Sequence, residues 1–489
     1  MKRYYILLLG LCMMSSIQAQ DNDPRKAFDR FAQRSKQKFD DFRSRANEQY
    51  AEAMKRAWER FNAQPAVPRP KDETVPPVVL PEEDRDKPIE TRPVPIKDVV
   101  TPPAPAPQPA PVSPVEERPQ PKDQTVGFVY CGTKLEVRMN ASSRPRLSSC
   151  DNDALAAAWS RLAKDDALNN TLRDCLDLRQ ELQLCDWAYL NMIHALAQKA
   201  FGESNEATLL TAYLYCQSGY QMRLARNSER VVLLFASNHA IYNSGYYRLE
   251  NTNFYPFGGE EPLLEICDAK FPKEQPMSLL IPRAQQLAQQ PSTPRTLTSK
   301  RYADISVTTS VNKNMIDFYD SYPTSEVNDN FMTRWAMYGN TPLDDRVKAE
   351  LYPALRAKIA GGGELEAANK LLNWVQTAFE YEYDEVVWGH DRAFFAEETL
   401  YYPYCDCEDR AILLTRLVRD LLGLECVLIY YPGHMACAVH FSEPVDGDYY
   451  TYDGKDFTVC DPTYIGAPIG RQMPDFADKE ATLIPIKTK

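Results

Sequence analysis

The chain has 489 residues, 44% of them hydrophobic and 25% charged, with a net charge of −12. That length suggests two or three domains, and the acidic balance argues against nucleic acid as a partner. The 37 prolines are unevenly spread, which points to a linker between folded parts.

Met1-Lys-Arg is a short basic start, Tyr4 to Met14 is apolar, and Ser15-Ser-Ile-Gln-Ala-Gln20 is a plausible cleavage zone. Residues 1–19 therefore read as a secretory signal peptide cut after Ala19, implying a secreted, periplasmic or cell-envelope protein. A spanning helix needs ~20 apolar residues, and this run is shorter. Leu11, where a small residue would be expected before Cys12, argues against a lipoprotein. Loss of Cys12 leaves eleven of the 12 cysteines, so at least one thiol is unpaired unless it bridges to another chain.

Residues 20–63 carry Phe28, Phe31, Phe39, Phe42, Tyr50, Met54, Trp58 and Phe61 at helical spacing among mixed charges. This is an amphipathic helical segment. Packing on its own chain is the preferred reading; docking to an envelope surface or partner is the other. From 64 to 124 prolines crowd in, densest over 101–111, and the composition predicts a disordered, semi-rigid tether.

Folding resumes in an α+β region over 125–290, with strand-like runs at Thr125–Cys131 and Leu135–Arg138 and helical patterns from Asp153 to about Leu214. Leu209-Leu-Thr211 precedes Gly219 by the interval that separates Leu413-Leu-Thr415 from Gly423, and histidines follow at His239 and His434. Aligned so, Glu203 falls where Cys407 stands. Two readings remain open: a degenerate copy of the C-terminal fold without a nucleophile, or two helices sharing a rhythm by chance.

The last region, 291–489, holds the chemistry. Apolar residues at Ala411, Leu414, Val418 and Leu421 predict a buried helix ending near Gly423, with Cys407 at its start. Free N–H groups and the helix dipole there favour a thiolate, whereas Glu408 and Asp409 oppose it if they point at the sulfur. Cys426–Tyr431 reads as a strand, Pro432-Gly433 as a turn, and His434–Phe441 as an alternating strand. On that strand Ala436 and Ala438 share the face of His434, so the helix is expected to approach the sheet closely on that side. Phe457–Asp461 is a further strand, from whose end Asp461 can orient the imidazole. Cys437 and Cys460 lie on opposite faces from these groups, favouring burial or a mutual disulfide. One residue between Cys405 and Cys407 makes a poor zinc pattern, and neither metal nor cofactor is expected.

The ordered runs Asp406-Cys-Glu-Asp-Arg-Ala411, Tyr431-Pro-Gly-His-Met-Ala436 and Val459-Cys-Asp-Pro-Thr463 resemble the core of the transglutaminase-like superfamily, over about the last third of the chain. The string from Trp388 to Pro403 resembles that of secreted bacterial members. The resemblance implies a papain-like fold in which a helix packs on an antiparallel sheet. It implies Cys407 as nucleophile, His434 as base and Asp461 as orienting group. The Cys407 N–H would form part of an oxyanion hole, completed by an upstream polar aromatic; Trp388, Tyr402 and Tyr404 are the candidates. The expected function is a secreted cysteine-dependent amide-bond enzyme, a peptidase or amidase or an acyl transferase, acting on protein, peptide or cell-wall peptide. The alternative is a non-catalytic envelope binding or assembly protein that keeps the fold. Substrate, acceptor and oligomeric state are not legible in the sequence.

Overall fold

The computed structural model describes residues 24–56, 58–70, 75–85, 87–119, 121–140, 143–477 and 479–487. The expected signal peptide lies outside them. Among the described residues no helix is long and apolar enough to cross a membrane. The fold is mixed α+β, as the sequence predicts.

Helix α1 (Pro24–Met54) is a single long helix. Phe28, Phe31, Phe39 and Phe42 are exposed, whereas Ala46, Tyr50 and Met54 are buried. Its C-terminal half is fixed to the body by polar contacts: Asn47 Nδ2 donates to Gln217 Oε1 (3.1 Å), and Trp159 Nε1 donates to Asn47 Oδ1 (3.0 Å).

The proline-rich stretch is extended but not free. It contributes short strands β2 (Val78–Val79), β3 (Arg92–Pro93) and β4 (Ile96–Val99) to the C-terminal half, whereas β1 (Glu59–Asn62) comes from the segment expected to be helical and corrects that expectation, the helix stopping at Met54. Val100 and Val112 are buried, and Gln108 Nε2 donates to Leu184 O (2.8 Å). Gly219, at φ +97°, touches this strap so closely that a Cβ would stand 2.1 Å from Ala110 O. The expectation of a disordered tether is corrected here. Proline-rich chain cannot build its own core, but its extended backbone can lie flat on another and accept hydrogen bonds from it.

Two antiparallel sheets organise the rest. The first follows helix α2 (Asn205–Gln217) and uses β5 (Met222–Arg226), β6 (Val231–Ser237), β7 (Tyr247–Leu249), β8 (Thr252–Phe257) and β9 (Leu263–Ile266), in the order β7-β8-β6-β5-β9, with β1 at the edge.

The second lies behind α3 (Glu364–Ala378), the two-residue parallel pair β10 (Glu380–Tyr381) and β11 (Tyr404–Cys405), and α4 (Cys407–Leu422). Its strands are β12 (Glu425–Tyr431), β13 (His434–His440), β14 (Asp448–Tyr452) and β15 (Lys455–Cys460). After β16 (Tyr464–Ile465), which pairs with β2, comes β17 (Ala481–Pro485). The order is β14-β15-β13-β12-β17, with β3 and β4 closing the two edges. Covering edges in this way removes rows of unpaired backbone groups.

Counted in chain order, the five shared strands of each sheet run third, fourth, second, first, fifth, and every neighbouring pair among them is antiparallel. A degenerate internal copy would show this order. The residue equivalences drawn from the helix rhythm are corrected, however. Asn205, not Glu203, opens α2 as Cys407 opens α4; Val231 opens β6 as His434 opens β13; and Gly258 follows β8 as Asp461 follows β15. His239 lies past the other end of β6.

Candidate active site

Helix α4 starts and stops where its sequence directs. Asp409 Oδ2 accepts from the N–H of the N-cap residue Asp406 (3.3 Å), and Gly423, at φ +73°, closes the other end. The buried run Ala411–Val418 joins the larger apolar core together with Met435, Cys437 and Val439 of β13. Ala436 and Ala438 belong to a separate core on the far face of the sheet, with Tyr431, Tyr450, Val459 and Phe476. The expected close approach over the alanines is therefore corrected: the helix packs on the Met435–Cys437–Val439 face. Small residues on one face do not by themselves say which face the helix covers.

His434 and Asp461 do meet. Nε2 of His434 lies 2.8 Å from Asp461 Oδ2, and both side chains are almost wholly buried. The other carboxylate oxygen, Oδ1, accepts from Thr463 N (2.8 Å) and Tyr464 N (3.2 Å), fixing the carboxylate in the turn after β15. Phe476 stacks on the imidazole at 4.9 Å, and Tyr431 lies parallel to it at 6.2 Å. The remaining nitrogen, Nδ1, is buried without a partner. An unmet buried nitrogen beside an oriented one is what a general base awaiting a donor presents.

Cys407 is buried at the N-terminus of α4, and its sulfur lies against the N–H of Met435, the residue after His434. The thiol–imidazole bond is not made; Sγ donates to Glu408 Oε2 at 3.2 Å. Burial, and then the Glu408 and Asp406 carboxylates, hold the thiol well above its ordinary range. Of the opposing influences weighed in the sequence, loss of water and the two adjacent carboxylates outweigh the helix end.

A buried acidic group surrounds this start. Asp384, Asp406 and Asp409 are all pushed up, chiefly by burial and then by their carboxylate neighbours. Arg334 meets Asp391 with both guanidinium nitrogens (the longer contact 3.1 Å). Oxygens of Asp384, Asp391 and Glu408 lie within 4.8 Å of one another, as do ligand atoms of Asp406, Cys407 and Glu408. These are the described residues that could hold a cation.

The oxyanion candidates are engaged elsewhere. Trp388 and Tyr402 pack edge to face at 5.0 Å around Arg392, Tyr402 donates to Asp320 Oδ1 (2.9 Å), and Tyr404 is exposed. A polar aromatic within electrostatic reach of the thiol is Tyr381, whose phenol is raised by burial and then by Cys407, Asp406 and Glu408. Its strand pairs with Tyr404-Cys405, which carries it to the front of α4. The glutamates on either side of Tyr381 hid it from a hydrophobicity reading.

Two buried side chains brace the site and were also missed. Gln376 Nε2 reaches the carbonyls of Asp461 (3.1 Å), Tyr464 (2.8 Å) and Ala467 (3.0 Å), and its Oε1 accepts from Gly466 N (3.1 Å). Arg410 donates to Gln376 O, Phe379 O and Pro462 O, tying α4 to the loop that bears Asp461. The described cysteines, Cys437 and Cys460 included, are unbridged; these two are buried cross-strand neighbours, with Cys437 Sγ donating to Cys460 O at 3.2 Å.

No protein-family model matches this chain, and no curated protein matches it.

Proposed function

We propose that this chain is a secreted cysteine-dependent amide-bond enzyme of transglutaminase-like type. In this reading the sulfur of Cys407 attacks a carbonyl, His434 Nδ1 takes its proton and later returns it to the leaving amine, and Asp461 holds the imidazole. The thioester then passes to water or to an amine. The observation that carries the reading is the buried His434–Asp461 pair with Nδ1 unmet, next to a strand residue whose N–H touches the Cys407 sulfur. Because the resting thiol is neutral, proton transfer to His434 must accompany attack, after a side-chain rotation that releases Glu408. Tyr381 and the Cys407 N–H are the groups suited to the developing oxyanion. The net charge of −12 and the exposed phenylalanines of α1 fit a peptide or protein substrate at the cell envelope better than nucleic acid.

A second reading has two observations in its favour. The carboxylates beside Cys407 hold it protonated, and the first sheet repeats the strand order with asparagine, valine and glycine at the corresponding positions. A binding or assembly protein keeping the fold would show both. Mass spectrometry after incubation with activated peptide thioesters separates the two. The enzyme reading expects an acyl adduct on Cys407, released by hydroxylamine and lost in Cys407→Ala and His434→Ala. The absence of any adduct, with ordinary thiol reactivity, overturns it.

A further inference from the structure

Residues 75–80 cross the end of the C-terminal sheet where His434 and Asp461 lie. Val75 N donates to Gly433 O (2.9 Å), the residue before His434, and Val75 O accepts from the Tyr381 hydroxyl (3.2 Å). After Pro76 and Pro77, Val78 and Val79 pair in parallel with Tyr464 and Ile465, three and four residues past Asp461. Leu80 N donates to Ile465 O at 2.9 Å. The Leu80 side chain is buried in the core that contains Tyr431 and Phe476, the two rings on His434. The segment is therefore held on both sides of the imidazole–carboxylate pair.

We propose that residues 75–80 are an inhibitory strap occupying the substrate groove, and that this groove takes an extended, apolar stretch of polypeptide paired to Gly433 and Tyr464–Ile465. The inference rests on the cysteine-enzyme reading above. Strand addition supplies affinity through the main chain and leaves alternate side chains to fill pockets; here Leu80 is buried and Val79 is exposed. The hydroxyl of Tyr381, the aromatic proposed above for the oxyanion, is spent on the strap's own carbonyl. The two prolines restrict the free segment, so little entropy opposes docking, and the covalent tether keeps its effective concentration high. A substrate must displace it, or the strap must be loosened, before Cys407 and His434 can act.

The test uses the full chain and two variants, Pro76→Gly/Pro77→Gly, which touches no core, and Leu80→Asp, which removes the anchor. Iodoacetamide labelling of Cys407 is followed by mass spectrometry. Labelling is expected to quicken about tenfold in the glycine variant, since each proline lost restores freedom to the undocked segment. A fluorescent peptide Val-Pro-Pro-Val-Val-Leu is expected to bind the Leu80→Asp chain and not the parent. Unchanged labelling in a folded glycine variant, or no gain in peptide binding, overturns the strap. If labelling quickens but ignores His434→Ala and no acyl adduct forms, residues 75–80 cover the cysteine but the enzyme reading falls, and the inhibitory role falls with it. Should Leu80→Asp fail to fold, the glycine variant alone decides.

Discussion

His434 Nε2 and Asp461 Oδ2 stand 2.8 Å apart in a buried pair, while the second oxygen of Asp461 is committed to the turn at Thr463 and Tyr464. The two oxygens can therefore be separated experimentally. Asp461→Asn keeps an acceptor for the turn but presents an amide N–H₂ to Nε2, which pushes the imidazole proton onto Nδ1. That tautomer cannot take the thiol proton. Acylation of Cys407 should fall by on the order of 10⁴, as when the orienting aspartate of a serine triad is replaced, with little change in melting temperature. An Asp461→Asn chain that acylates at the parent rate would show that the pair is structural.

Glu408 sets the resting state of the sulfur. Its carboxylate accepts from Cys407 Sγ at 3.2 Å and is the largest raising influence on the thiol after burial. A raised thiol is protonated at neutral pH, so reaction below that range grows tenfold with each pH unit. Glu408→Gln removes the negative neighbour and lowers the thiol toward its ordinary value. At pH 7 alkylation of Cys407 should then be about tenfold faster, the factor for one pKa unit, with the whole profile displaced to lower pH. Rates measured from pH 6 to 10 decide this; a displacement to higher pH contradicts the assigned sign.

Gln376 positions Asp461 without touching the imidazole. Its side-chain amide serves the carbonyls of Asp461, Tyr464 and Ala467. Gln376→Leu has similar volume and takes the side-chain donor from the Asp461 and Ala467 carbonyls, while Tyr464 O keeps the Ala467 N–H. That loss should cost about 3 kcal/mol. A denaturant titration checks the stability loss. Acylation in the folded fraction should fall as well, because the carboxylate is freed to wander. A stable variant with intact acylation would remove Gln376 from the site.

The sequence is most legible where one element answers to one rhythm. The stripe from Ala411 to Leu421 with Gly423 behind it placed α4 to within a residue, and the alternation of 434–441 placed β13. The pairing of His434 with Asp461 was also foreseeable, since a strand and the end of its neighbour bring fixed positions abreast. What stayed hidden depends on which distant surface an element meets. Nothing in Ala436 and Ala438 says that α4 lies on the opposite face. Nothing in the prolines says that 75–80 is docked. The influence of Glu408 over Cys407 depended on a side-chain direction that spacing cannot give. Tyr381 came to the site through a two-residue strand, too short to leave a pattern.

The acidic surroundings of Cys407 are tolerated partly through Arg334, which is fully buried and paired with Asp391. Arg334→Met removes the guanidinium paired with the Asp391 carboxylate and leaves that carboxylate beside Asp384 and Glu408. Breaking such a buried pair from one side costs about 3–5 kcal/mol, whereas replacing both partners by neutral groups costs far less. Arg334→Met alone should therefore lower stability by that amount, and Arg334→Met with Asp391→Asn should recover most of it. A double-mutant cycle read by urea denaturation gives the coupling directly. Asp384, already pushed up to about 8 by burial and then by Glu408, loses the lowering influence of Arg334, so the single variant should lose more stability than the parent as pH rises from the ordinary carboxylate range through about 8. A single variant as stable as the parent, or additive effects in the cycle, would show that the acidic cluster is compensated by other means.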